Sequence, residues 1–111
     1  MKISHEDHGP TCLVALAGEF LDENTDAFQR CISERFDTGV RNIVLDMTGL
    51  ESIDSSGLES LLWTSDESTQ RSGRLKLVGT GGTVSEALRV TRLVRRFDLE
   101  DTVEAAARSL R

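Results

Sequence analysis

Apolar positions along the chain switch between a period of two and a period near 3.6, and the switches lay out the elements. Residues 2–8 and 11–17 read as strands joined by the turn pair Gly9-Pro10. In the second strand Cys12, Val14 and Leu16 share one face, and Leu13, Ala15 and Ala17 are apolar on the other, so it is the more buried. The first carries Ser4, Glu6 and His8 on one side and suits an edge, where charge discourages stray pairing. Phe28, Cys31, Ile32 and Phe36 form a helical stripe within roughly 23–37, with Asp22 as its cap and Asp37-Thr38-Gly39 as its end. A strand at about 41–47 precedes a helix at about 56–71 that stops at Ser72-Gly73, and Leu75, Leu77 and Val78 form a covered strand. Thr83-Val84-Ser85-Glu86 has the spacing of a capping box and opens a short helix with Val84, Ala87 and Leu88 inward. Leu93–Phe97 fits a helix end or a short strand equally well. Val103, Ala106, Ala107 and Leu110 predict a last helix over about 99–110.

The order β-β-α-β-α-β-α-α describes a single α/β domain spanning 1–111. Its strand–helix–strand units predict a small, mostly parallel sheet with right-handed crossovers and one antiparallel edge strand, backed by about four helices. At 111 residues there is room for one core and no second domain.

The chemistry concentrates at residues 43–62. The short apolar run from Ile43 to Leu45 ends at Asp46 and Met47, and Leu58, Leu61 and Leu62 stripe the next helix; between them lies Asp54-Ser55-Ser56-Gly57. Helix starts leave N–H groups without internal partners and carry partial positive charge, so a hydroxyl there adjoins an anion-binding position. A phosphate on Ser55 would meet backbone donors without needing an arginine. Ser56-Gly57-Leu58-Glu59 is equally a capping box, and a purely structural role stands beside the chemical one.

The segment NIVLDMTGLESIDSSGLESLL resembles the signature of the STAS domain, the fold of bacterial anti-sigma factor antagonists. Asp46, Leu50, Ile53, Asp54, Ser55, Ser56, Gly57, Leu58 and Leu62 fall on that family's pattern. The resemblance implies phosphorylation at Ser55, the serine directly after the Asp, and partner contact through Asp54, Ser56, Gly57 and Leu58. It implies as partners a serine kinase of the histidine-kinase-like ATPase fold that otherwise holds a sigma factor, and a serine phosphatase that resets the switch. ATP belongs to that kinase, and no cofactor is implied for the chain itself. A non-switching STAS scaffold, such as an accessory subunit of a lipid-transport ATPase complex or a sensory assembly, is the alternative. Several positions depart from the family's pattern: Asp22 stands one place late after Gly18-Glu19, Glu59 replaces a small residue, and Thr83 and Arg92 stand where Pro and Gly are usual.

Composition narrows the field. A formal net charge of −6 disfavours nucleic acid and anionic membrane surfaces. No apolar run approaches the roughly 20 residues of a membrane span, and the first residues lack the apolar centre of a signal peptide, so a cytoplasmic location is expected. Cys12 and Cys31 are isolated and read as buried thiols in a reducing compartment. Catalysis by the chain finds little support. His5 and His8 both lie on the edge strand, no nucleophile elbow surrounds Ser55 or Ser56, and the Cys and His residues lack zinc spacing. The cluster Gly79-Thr80-Gly81-Gly82 matches no phosphate-loop pattern and reads as a connector. Trp63 falls at the rim of the Leu58–Leu61–Leu62 stripe, as a core margin or as an anchor for a partner.

Overall fold

The computed structural model describes residues 1–110. Two strands open the chain, β1 (Lys2–His8) and β2 (Thr11–Phe20). A 3₁₀ turn over Asp22–Asn24 leads into α1 (Thr25–Asp37), followed by β3 (Asn42–Ile53), α2 (Ser55–Gln70), β4 (Leu75–Val78) and α3 (Gly82–Val90). A second 3₁₀ turn over Val94–Arg96 precedes β5 (Asp98–Glu100) and α4 (Val103–Ser109). The strands lie in sequence order, β1-β2-β3-β4-β5, antiparallel between β1 and β2 and parallel in every later pair. This is the mixed, mostly parallel sheet that the alternating periods predict, with β1 at the antiparallel edge.

Strand alternation sends two sets of residues to opposite faces. Cys12, Val14, Leu16 and Phe20 of β2 join Ile43, Leu45 and Met47 of β3 and Leu77 of β4 in the main core. Phe28, Ile32 and Phe36 of α1, Leu58 and Leu61 of α2, and Val84 and Leu88 of α3 close that face. On the other face, among the described residues, only α4 packs, its Ala106 against Val44 and Val78. Leu13, on the same face, is only partly covered.

Four expectations need correction. The last helix begins at Val103 rather than 99, because Thr102 caps it by accepting the Ala105 N–H at 3.1 Å. Residues 98–100 form a fifth strand instead. Its position is fixed by Lys76, a buried lysine on β4 whose Nζ lies 3.5 Å from the Asp98 carboxylate and 3.8 Å from that of Glu100. A buried ammonium needs such partners, and a strand places both carboxylates on its side of the sheet. The α1 helix starts at Thr25 after the 3₁₀ turn, and Asp22 does not cap it with its side chain. The Thr83–Glu86 box does not form: α3 starts at Gly82 with Gly81 as its uncapped N-cap, and Glu86 pairs with Arg89.

Three helices end in the same hydrogen-bonded motif, in which the chain turns through one left-handed residue. After α1 that residue is Gly39 (φ +100°), after α2 it is Ser72 (φ +61°), and after α3 it is Arg92 (φ +61°). The Arg92 N–H donates to the Arg89 carbonyl and the Leu93 N–H to the Leu88 carbonyl. A side chain in that conformation costs about 1–2 kcal/mol that glycine avoids.

Candidate functional site

The β3 strand runs to Ile53, well past the predicted end at 47, and delivers the chain directly to α2. Asp54 lies between them in extended conformation and is the helix cap. Its Oδ1 accepts the Gly57 N–H at 2.9 Å, and its Oδ2 accepts the Asp22 N–H at 2.9 Å. One carboxylate therefore fastens the start of α2 to the turn before α1. The Asp54 N–H donates to the Phe20 carbonyl at 3.1 Å and closes the same junction from the backbone side. The capping box expected of Ser56 and Glu59 is not formed, since Asp54 already occupies the capping place.

Gly57 is required by proximity. A Cβ there would come within 2.7 Å of both the Phe20 carbonyl oxygen and Ile53 Cγ1. The first turn of α2 is thus pressed onto the end of β2, and Leu58 is buried in the core beneath it. Gly57 and Leu58 set the position of the turn and present little surface of their own.

Ser55 is exposed, and Ser56 is half-buried beside it. The N–H groups of Ser55 and Ser56 have no partner among the described residues, whereas that of Gly57 is taken by Asp54. Two free donors at the positive end of a four-turn helix thus stand next to the Ser55 hydroxyl. Next to them is a polar notch of about 290 Å³ lined by Asp22, Thr25, Gln29, Ser56, Glu59, Ser60 and Trp63. Trp63 is half-buried, packed on the margin of the main core with one side open to this notch.

The charge around the site is one-sided. Residues 11–29 and 42–70 contain no lysine or arginine, while Glu19, Asp22, Glu23, Asp26, Glu51, Asp54 and Glu59 fall within them. The sequence reading missed the part of Asp22 in this junction. Its role is carried by a backbone N–H, which leaves no trace in residue type; the only signal was its closeness to a predicted helix start. Among the described residues no group of three or more His, Cys, Asp or Glu is arranged to hold a metal ion. Among the described residues no helix is long and apolar enough to cross a membrane.

Comparison with known proteins agrees with this geometry. The STAS domain model matches residues 2–106. The Bordetella bronchiseptica protein BtrV, which carries the name of an anti-sigma factor antagonist, is 26% identical over 107 residues, covering 96% of this chain and 92% of its own. Among solved structures, one named as an anti-sigma factor antagonist of Thermotoga maritima superposes with a TM-score of 0.89 at 22% identity, over 97% of this chain and 93% of that one. The Bacillus protein SpoIIAA in its phosphorylated form superposes with a TM-score of 0.77 at 23% identity, over 99% of this chain and the whole of that one. With nearly its whole length matched and its helix-start motif in place, the chain belongs to the STAS domain family.

Proposed function

We propose that this chain is an anti-sigma factor antagonist whose binding is switched by phosphorylation of Ser55. The observation that carries the reading is the exposed Ser55 hydroxyl beside two unpartnered N–H groups, on a helix start locked by Asp54. A helix start that is already rigid lets a kinase modify the hydroxyl without remodelling the domain. The names carried by BtrV and the Thermotoga protein, and the existence of SpoIIAA in a phosphorylated form, support the assignment. The partner is an anti-sigma factor with serine kinase activity, of the histidine-kinase-like ATPase fold, and a serine phosphatase resets the switch.

In this reading Asp54 holds the turn in shape, Gly57 and Leu58 fix its height above the core, and Ser56 with the notch forms the adjoining contact surface. The chain does no chemistry of its own; it supplies the hydroxyl that accepts the phosphoryl group, and its location is the cytoplasm. A second reading, a STAS scaffold without a switch, is favoured by the carboxylates of Asp54 and Glu59 so near Ser55, since like charge opposes a phosphate there.

Incubation with the cognate kinase and ATP, followed by intact mass and peptide mapping, separates the two. The switch predicts one added phosphate, lost in Ser55→Ala and kept in Ser56→Ala. A phosphate mapped to Ser56, or none on the wild-type chain, would overturn the assignment.

A further inference from the structure

The end of the molecule opposite Ser55 has the reverse charge. The parallel strands run from one end to the other, so the starts of β3, β4 and β5 and the ends of α2 and α3 gather at the pole away from the switch. Residues 89–96 there, Arg-Val-Thr-Arg-Leu-Val-Arg-Arg, carry +4 in a chain of formal net charge −6, which leaves −10 on the remainder. Arg89 pairs with Glu86, but Arg92, Arg95 and Arg96 are exposed and form no ion pair among the described residues. Val90 and Val94, two of the three large apolar side chains most exposed to solvent, lie among them at 63% and 41% exposure. The left-handed residue of the segment is itself one of these arginines. The equivalent place holds glycine after α1 and serine after α2, and at Arg92 the fold accepts backbone strain that glycine would relieve.

We propose that the segment Arg89–Arg96 is a second docking surface, which takes a short acidic polypeptide segment interspersed with apolar side chains. The arginines match carboxylates in charge and fork geometry, and the two valines offer apolar contact between them. A short segment fits better than an extended polyanion. Glu86, paired with Arg89, and Asp98, 59% exposed at the start of β5, flank the arginines, and a membrane plane or a nucleic acid would meet these carboxylates as well. The surface lies away from the switch, so it tethers the domain without covering Ser55. It stands independently of the reading given to Ser55.

Titration of the ¹⁵N-labelled chain with a synthetic 12-residue peptide of alternating Glu and Leu tests the proposal. Saturable amide shifts confined to about residues 86–97 are expected, weakening as salt is added. Single Arg→Ala changes at 92, 95 and 96 should each weaken binding about 2–5-fold. The triple change R92E/R95E/R96E should abolish it, and R92K/R95K/R96K should retain most of it. Arg92→Gly is the sharpest variant. It should raise the thermal midpoint by on the order of 4–8 °C while weakening the peptide, a split that a merely structural arginine does not produce. Ser55→Asp should bind the peptide as the wild type does. A lowered midpoint in Arg92→Gly, no saturable binding, or shifts spread over the acidic pole would overturn the proposal. So would tighter binding to vesicles containing 30 mol% phosphatidylserine or to a DNA oligonucleotide, or concentration-dependent self-association abolished by the triple change.

Discussion

Asp54 makes the junction and Ser55 is offered by it. The two residues are neighbours with opposed demands: the carboxylate must be fixed, because it satisfies donors from two elements, and in the proposed switch the hydroxyl must be free. Asp54→Ala removes both bonds and should destabilise the protein by about 2–3 kcal/mol, a lost cap plus a lost charge-assisted bond. Ser56→Ala should cost far less, because Ser56 does not cap α2. Urea unfolding of the two variants checks the ranking. Cys12 shows burial acting on chemistry: desolvation, aided by the Asp7 carboxylate nearby, pushes its thiol from 9.0 up to about 12. The unfolded thiol ionises first as pH rises, so this contribution to stability is complete below pH 9 and is lost between 9 and 12. The slope approaches about 1.4 kcal/mol per pH unit. Unfolding measured at pH 8 and pH 10.5 should show the loss, reduced in Cys12→Ala; Cys31, whose thiol burial also pushes up, contributes to the loss that remains.

At the scale of elements, what could be read from the sequence follows from what each element depends on. The α1 stripe of Phe28, Ile32 and Phe36 and the covered strands at Ile43–Leu45 and Leu75–Val78 depend on apolar periodicity, and each lies where the pattern puts it. Helix starts depend on which of several nearby polar side chains reaches the free N–H groups first. Ser56 and Thr83 had the right spacing, yet Asp54 caps α2 and no side chain caps α3. The β5 strand is held by a tertiary pairing, Lys76 with Asp98 and Glu100, that no local window contains. The same limit applied at the candidate site. Its central motif was legible from Asp54 to Leu58, whereas the tie to Asp22 across 32 residues and the packing of Gly57 under Phe20 appear only in the folded chain.

Across the whole molecule, the Ser55 end is acidic and tied together by the Asp54 hydrogen bonds, which bears on how the proposed phosphorylation would act. A phosphate adds about −1.5 to −2 charge at neutral pH. At Ser55 it adjoins the free N–H groups of the α2 start, and no element has to move to admit it. A partner packed over Ser55 and the notch would instead bury a dianion, at a cost of several kcal/mol. Even about 3 kcal/mol weakens binding more than a hundredfold. Ser55→Asp should therefore fold with unchanged circular dichroism and thermal midpoint while losing its partner. The most direct measurement is calorimetric titration of the cognate anti-sigma factor with the Ser55→Ala and Ser55→Asp chains. The account predicts tight binding by the alanine variant and affinity lower by two orders of magnitude or more for the aspartate variant. Equal affinities would contradict it.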